Sequence, residues 1–246
     1  MNSGFYAATA GLIAKMQALD VAANNLANVG TTGFKAQREF YRTLQTQMAN
    51  GQSAATGQIN RAINNFGVLG GARVDMSAGS LDRTGNDLDA AIDGPGFFTV
   101  RSPAGTSYTR NGSFLLGPHG ELLTGGGDAV IGKNGPIKLP PGQVSIEANG
   151  SISVNGNVVD QLHIAEFKDA PTMIGATLFQ APASGEQPAT QSSVRQGFLE
   201  ASNINAIAGG TSLVMLQRQA EMLQKALSIF NTDFNKTATD EIAKVG

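Results

Sequence analysis

The sequence predicts an α+β fold, in which long N- and C-terminal helices pair as a coiled-coil domain and a central antiparallel β-rich domain is inserted between them. Two observations carry this prediction. Apolar residues recur at helical spacing only near the two ends of the 246-residue chain, and turn signals recur every ~8–12 residues in its middle. The predicted organisation is a helix and turn over residues 1–40, an extended connector over 41–86, a β-rich domain over 87–200 and a C-terminal helix over 201–246.

The N-terminal helix is predicted to run from about Ser3 to Ala27. Its apolar stripe repeats every seven residues, at Phe5, Leu12, Leu19 and Leu26, and this repeat places the side chains on one face of the helix. The following Asn28-Val29-Gly30-Thr31-Thr32-Gly33 is predicted to end it, because asparagine and glycine adopt the left-handed backbone conformation of helix C-termini.

The C-terminal helix has the more regular periodicity. Its apolar residues are spaced alternately by three and four, at Leu213, Leu216, Ala220, Leu223, Leu227, Phe230 and Phe234. This seam of about three heptads is typical of a coiled coil. Gly209-Gly210 interrupts the preceding pattern, so Thr211-Ser212 is predicted to cap the start of the helix. Met215 and Met222 widen the apolar face and indicate more than one packing partner.

Helical periodicity is missing between the two ends. Asn-Gly steps predict β-hairpins at residues 111–112, 134–135, 149–150 and 155–156. Strands are predicted over residues 96–101, 113–116, 144–147 and 162–167. Because no helices alternate with these strands, the sheet is predicted to be antiparallel.

Composition excludes several classes of function. The chain has 17 Lys and Arg against 19 Asp and Glu, a net charge of −2, and so lacks the basic surface of a nucleic-acid-binding protein. It has no cysteine and two histidines, so it has no disulfide, thiol nucleophile or thiolate zinc site. No run reaches the ~18 apolar residues of a membrane span, and no signal peptide is recognisable. We therefore expect no nucleic-acid partner and no direct membrane insertion.

Each candidate nucleotide or metal site in the sequence lacks a residue or a spacing that its chemistry requires. Residues 127–133 match Gly-x-x-x-x-Gly-Lys but are followed by Asn134 and Pro136, which supply neither the magnesium-binding hydroxyl nor a helix start. The aspartates at positions 82, 87, 89 and 93 lack the spacing of a calcium loop. His119 and His163 are interpreted as structural. We expect no catalytic residue, no cofactor and no metal.

The two apolar stripes indicate assembly. No other long helix in the sequence covers them, and burial of each large apolar side chain is worth ~1.5–3 kcal/mol. The stripes are therefore expected to pair with each other, with other subunits, or with both. Asn24, Asn25 and Asn28 at the end of the first helix can donate and accept hydrogen bonds across a close helix contact, and Phe34 is predicted to anchor the chain in the core.

Residues 19–35, LDVAANNLANVGTTGFK, closely resemble the N-terminal signature of the bacterial flagellar rod and hook protein family. Later blocks resemble the family in the same order, at residues 92–98, 108–114, 120–124 and 197–205. The resemblance implies a non-enzymatic structural subunit of the flagellar basal-body rod, which polymerises through its terminal helices into a torque-transmitting shaft. It also implies export without a cleaved signal peptide to the periplasm-spanning rod.

The partners implied by the resemblance are copies of the chain itself, neighbouring flagellar rod proteins and the flagellar type III export apparatus. The candidate subunit-assembly residues come from the two stripes and the signature segment: Leu12, Leu19, Asn25, Leu26, Asn28, Gly33, Phe34, Leu213, Leu216, Leu223, Leu227 and Phe230.

Within the family, chain length and the single β body are similar to the proximal-rod and distal-rod members. Arg218-Gln219-Ala220-Glu221 lacks the family's usual aromatic residue, Ala208-Gly209-Gly210 replaces a polar helix start, and the connector is short. These departures favour the proximal-rod member over a distal-rod or hook-like subunit.

Two functions of other classes stay open at this point. A cell-wall glycan-cleaving enzyme associated with the flagellum would draw its two carboxylates from residues such as Asp160, Glu166 and Glu200. A soluble monomeric chaperone or adaptor would keep its terminal helices ordered without partners.

Overall fold

The computed structural model describes residues 3–43, 67–103, 105–182 and 184–245. The elements are, in chain order, helix α1 (Ser3–Ala27), strands β1 (Gln37–Thr43), β2 (Gly67–Val74), β3 (Leu81–Arg83), β4 (Ala90–Asp93), β5 (Phe97–Ser102), β6 (Gly105–Thr109), β7 (Phe114–Leu116), β8 (Leu122–Thr124), β9 (Ala129–Gly132), β10 (Gly135–Pro136), β11 (Val144–Ile146), β12 (Ser151–Val154), β13 (Asn157–Gln161), β14 (Ile164–Glu166), β15 (Thr172–Met173), β16 (Leu178–Gln180), β17 (Gln187–Pro188), β18 (Ser193–Gln196) and β19 (Phe198–Glu200), and helix α2 (Ala206–Val245).

The chain divides into two compact units. The helical unit comprises the described residues within 1–26, 37–73 and 206–246, and the β unit comprises those within 27–36 and 74–205. The helical unit contains α1, α2 and a two-stranded sheet of β1 and β2. Residues 44–66 of the predicted connector lie outside the described residues.

The β unit is built on a ten-stranded sheet with the order β15-β16-β6-β5-β9-β8-β7, to which β10, β14 and β17 add at the side. A three-stranded sheet (β11-β12-β13) and the pairs β18-β4 and β19-β3 complete it. The strand pairs of this unit are antiparallel, as predicted. Three of the four Asn-Gly steps lie at hairpins, between β9 and β10, β11 and β12, and β12 and β13.

The remaining Asn-Gly step, at residues 111–112, is not a hairpin. β6 and β7 on either side of it pair with other strands. Gly112 instead passes so close to the Ala90 carbonyl that a Cβ would overlap it. Close backbone approach, rather than turn formation, is therefore the reason for glycine here.

The apolar interior of the β unit consists of two clusters, one on each side of strand β5. Phe98 lies in the larger one, with its ring edge-to-face against Phe114 at 5.1 Å. Its neighbour Phe97 points to the opposite side of the sheet and packs against Phe179 at 5.3 Å. Successive strand residues face opposite sides of a sheet, so one Phe-Phe step supplies both clusters.

Helix α1 spans Ser3–Ala27, as predicted. The predicted coiled-coil pairing of the two terminal helices is wrong: the described residues contain no seam in which α1 and α2 interlock. The most deeply buried positions of α1 are Ala14 and Ala18, whereas the leucines of its predicted stripe are only half-buried. A coiled coil needs large side chains inserted into holes on its partner, and alanine is too short to provide them.

Helix α2 begins earlier than predicted, at Ala206. Gly209 and Gly210 lie inside it, and the Thr211 hydroxyl donates to the Ile207 carbonyl at 2.9 Å instead of capping a helix start. Asn205 precedes the first helical residue and is of a preferred N-cap type. In the part of the chain that the structure describes, neither helix is long and apolar enough to cross a membrane.

Candidate functional site

The signature segment forms a tight turn after α1. The amide of Thr31 donates to the Asn28 carbonyl at 3.1 Å, and its hydroxyl donates to the Asn28 side chain at 3.3 Å. Gly33 follows with φ +70°, where a Cβ would overlap the backbone of Asn111. Both the positive φ and this approach require glycine. The turn delivers Phe34 to a fully buried position, as predicted for an anchor.

Three ionisable side chains meet in the interior of the β unit, and we call them the ion cluster: Lys35, Arg110 and Glu200. Lys35 Nζ lies 2.6 Å from Glu200 Oε1, and Arg110 Nη1 lies 3.3 Å from Glu200 Oε2. Lys35 and Glu200 are each 1% exposed. The cluster therefore joins three segments that are far apart in the sequence through contacts shielded from water.

Backbone groups surround the ion cluster. Lys35 Nζ donates to the Ser77 carbonyl at 2.8 Å, and the Gly79 amide donates to Glu200 Oε1 at 3.0 Å. Arg110 Nη2 donates to the Gly94 carbonyl at 2.7 Å, and its guanidinium carbon lies 4.8 Å from the centre of the Phe97 ring. Buried charges persist only where such partners replace water.

Within the ion cluster two cations share one carboxylate, and Asp75 and Glu166 add weaker attraction to Lys35 and Arg110 respectively. Burial lowers the pKa of Lys35, and Glu200 opposes that shift. Burial also lowers the pKa of Arg110, again against the attraction of Glu200. Glu200 is therefore the member that makes the burial of both cations tolerable.

The Asn203 side chain forms hydrogen bonds with the backbone next to the ion cluster. Its side-chain oxygen accepts from the Ala36 amide at 2.8 Å, and its side-chain nitrogen donates to the Asp75 carbonyl at 2.9 Å. Nearby, the Gly33 amide donates to the Glu200 carbonyl at 2.7 Å. Residues 33–36, 75–79 and 200–203 are thus tied together by one set of hydrogen bonds.

Asn25, in the helical unit, forms a two-way pair with the backbone of Gln37. Its side-chain nitrogen donates to the Gln37 carbonyl at 2.7 Å, and its oxygen accepts from the Gln37 amide at 2.9 Å. The Asn25 side chain, predicted to form hydrogen bonds across a helix contact, therefore forms them with the backbone of its own chain.

The structure places the predicted assembly residues in two environments. Gly33 and Phe34 are buried in the β unit, and Asn25, Asn28 and the described leucines are half-buried. These leucines are Leu12, Leu19, Leu26, Leu213, Leu216, Leu223 and Leu227. The side chain of Phe230 lies outside the described residues.

The other candidate chemical groups serve the fold. Asp89 accepts from Thr84 at 2.7 Å within a turn, and His163 Nδ1 lies 3.1 Å from the Thr99 hydroxyl. Gly135-Pro136 forms strand β10, so no helix follows the Gly-x-x-x-x-Gly-Lys match. Among the described residues, no group of three or more acidic or histidine side chains could hold a metal ion.

The three carboxylates considered for glycan cleavage are engaged separately. Asp160 accepts from the Gln161 amide at 2.7 Å, and Glu166 accepts from the Ser192 hydroxyl at 2.8 Å. Glu200 is buried in the ion cluster. A general acid must reach its substrate, and Glu200 does not face the surface.

The sequence patterns do not predict the ion cluster or the role of Asn203. Each is a polar side chain inside an otherwise apolar or turn-forming block: Lys35 ends GTTGFK, Arg110 lies in YTRNGSF, and Glu200 and Asn203 lie in GFLEASN. Two isolated cations and one isolated carboxylate in separate blocks were the available signal, although nothing local shows that they meet.

Comparison with known proteins places these blocks in one family. The family model described as flagella basal body rod protein matches residues 5–35, and the model of the flagellar hook protein FlgE/F/G D1 domain matches residues 91–154. The first match covers most of α1 and its turn, and the second covers the middle of the β unit.

Relatives extend the match to the whole chain. The flagellar basal-body rod protein FlgF of Caulobacter vibrioides is 30% identical, over 100% of both chains. FlgG of Agrobacterium fabrum is 34% identical, over 97% of this chain and 95% of its own. FlgF of Mesorhizobium japonicum is 34% identical, over 90% of each chain.

The chain belongs to the family of flagellar basal-body rod proteins. These are structural proteins rather than enzymes, and the prediction of a non-enzymatic rod subunit is confirmed.

Proposed function

We propose that the chain assembles through α1 and α2 with copies of itself and with neighbouring rod proteins to build a shaft that transmits torque. The observation that carries this proposal is the incomplete burial of both leucine rows. The described leucines of both helices are half-buried, whereas the core of the β unit is closed, with Phe98, Phe114 and Phe179 fully buried.

Assembly would complete the burial that the single chain leaves unfinished. Burial of a fully exposed large apolar side chain is worth ~1.5–3 kcal/mol, so a leucine that is already half-buried would gain about half of this. Several leucines in each helix together favour contact with neighbouring subunits. A head-to-tail contact uses different surfaces on its two sides and continues as an open helical filament. Dense packing of such contacts resists deformation, as a shaft under torque requires.

The signature residues take part by fixing the chain after α1. Asn25 pairs with the Gln37 backbone, Asn28 and Gly33 shape the turn, and Phe34 anchors it in the β unit. These contacts give the segment that follows α1 one defined conformation.

Position and export are further parts of the proposal. The missing aromatic residue in Arg218-Gln219-Ala220-Glu221 and the glycines near the start of α2 favour the FlgF type, in the proximal rod, over the FlgG type. The relatives include both types. Delivery through the flagellar type III export apparatus, without a cleaved signal peptide, would bring the subunit to the periplasm-spanning rod.

Leu216→Asp and Leu223→Asp should each abolish rod assembly and swimming, because a carboxylate would enter a surface that becomes buried on assembly. The measurements are swimming in soft agar and recovery of rods from cells that carry only the variant. The β unit should keep its cooperative unfolding transition, since both substitutions lie in α2.

Ser228→Asp is the matched control. It places the same carboxylate on an exposed position of the same helix and should leave swimming unchanged. Normal swimming by both leucine variants would show that this surface has no role in assembly. Locating the labelled protein along isolated basal bodies would separate the proximal from the distal position.

A further inference from the structure

Helix α2 carries a second apolar face, on the side opposite its leucine seam. We call it the outer face, and its apolar members are Val214, Met215, Met222 and Ile229, with the charged Arg218, Glu221 and Lys225 among them. The four apolar side chains are between 50% and 62% exposed. At about 100° of rotation per residue they lie within a quarter to a third of the helix circumference. A groove of about 810 Å³ is lined by Val214, Met215, Arg218 and Met222 of the outer face, together with residues of the first turns of α2.

Helix α1 has an exposed apolar row of its own. Ile13 and Met16 are each just over half exposed, and Asp20 is exposed one turn further on. Spacings of three and four residues place the three side chains on one face. That face is turned away from the buried Ala14 and Ala18, so it is available to a neighbour.

The two exposed faces complement each other in charge. The α1 row ends in the carboxylate of Asp20, whereas the outer face of α2 carries Arg218, Glu221 and Lys225, which together give it a net positive charge. Within the part of the chain that the structure describes, neither Asp20 nor Arg218 takes part in a salt bridge. Complementary charges at the edge of an apolar contact fix its register more than its strength.

We propose that the outer face of α2 binds the exposed α1 row of a second copy of this chain, with the two helices antiparallel and Asp20 of one copy against Arg218 of the other. This register also sets Met16 against Met222 and the exposed Ala23 against Met215. Met16 and Ala23, on either side of Asp20, then each meet a methionine, and Ile13 meets the alkyl part of the Lys225 side chain. The proposal rests on the proposed function and names the partner surface for it.

The contact propagates along an assembly. In each contact one copy contributes α1 and the next copy contributes α2. The copies at the two ends of the assembly therefore each keep one unused face, to which a further copy can bind. Such a heterologous contact does not close on itself in a dimer. The leucine seam on the other side of α2 remains free for different neighbours.

Charge reversal tests the register in cells that carry only the variant chain. Asp20→Arg and Arg218→Asp should each lower the number of rods per cell at least tenfold, because like charges then face each other. The double variant should restore rods to within about twofold of the original number. Gln217→Asp introduces the same charge on α2 beside the outer face and should leave the rods unchanged.

Cross-linking tests the contact directly, since the chain has no cysteine of its own. Mild oxidation of rods built from the Met16→Cys/Met222→Cys variant should give a ladder of covalent multimers beyond the dimer. The Gln17→Cys/Gln217→Cys variant is the control and should remain monomeric on a denaturing gel.

Three results would overturn the inference: single reversals that assemble normally, a double reversal that stays defective, or cross-linking that stops at the dimer. Each is distinguishable from failure of the proposed function. If Leu216→Asp abolishes rods while the charge reversals do not, assembly through α2 stands and only the outer-face contact is rejected. If Leu216→Asp also assembles, the proposed function itself is rejected.

Discussion

Lys35 and Arg110 bring two positive charges into the interior of the β unit, and Glu200 supplies one negative charge between them. Removing one member of a buried ion pair costs more than the pair itself contributes, because the remaining charge keeps its desolvation penalty. Glu200 is therefore the most sensitive position of the cluster, since its loss leaves both cations without their carboxylate.

Glu200→Gln should lower the free energy of unfolding of the β unit by about 3–5 kcal/mol, the cost of leaving a buried charge unpaired. The change keeps the side-chain shape, so packing is preserved. Chemical denaturation followed by circular dichroism measures the effect.

The exposed Glu147→Gln is the matched control for Glu200→Gln and should shift stability by less than about 0.5 kcal/mol. The double variant Lys35→Met/Glu200→Gln removes one of the unpaired cations. Its loss of unfolding free energy should therefore be smaller than the sum of the losses in the two single variants. Strict additivity would contradict coupling between Lys35 and Glu200.

The two glycines inside α2 show that a local helix-breaking signal does not always end a helix. A Gly-Gly pair breaks helical periodicity in a sequence, yet α2 continues through it from Ala206. A Cβ on Gly210 would meet nothing within 4 Å. The pair therefore weakens the helix without ending it.

Gly210→Ala should stabilise α2 locally by about 0.5–1 kcal/mol, because alanine loses less backbone entropy in a helix. Slower amide hydrogen exchange in the first turns of α2 would show the gain. Gly33→Ala should instead destabilise the β unit, since it adds a Cβ at φ +70° against the Asn111 backbone. Equal effects of the two changes would contradict this account of both glycines.

Both ends of the chain contribute to the β unit. Residues 27–36 come from its N-terminal side, and β19 with Asn203 comes from its C-terminal side. Strand β3 pairs with β19 from Leu81 to Arg83, and Glu200 lies in β19. The interior of this unit is therefore complete only when residue 203 is present.

A chain that ends after Asn205 should keep the cooperative unfolding transition of the β unit, whereas a chain that ends after Gly197 should lose it. The shorter chain leaves Lys35 and Arg110 without Glu200 and β3 without its partner strand, and these losses are comparable to the ~5–15 kcal/mol stability of a typical domain. Thermal melts of the two chains provide the measurement. A cooperative transition in the shorter chain would show that the ion cluster is dispensable.

The sequence by itself determined the bounds of α1, the antiparallel β unit, three of its hairpins and the family, because these depend on residue spacing and on short blocks. The tertiary structure decided that the helices do not interlock as a coiled coil, that α2 continues through its glycines, and that Lys35 meets a carboxylate 165 residues away. Local periodicity shows which residues share a face, but not what covers that face. Contacts between distant segments arise only when the chain folds.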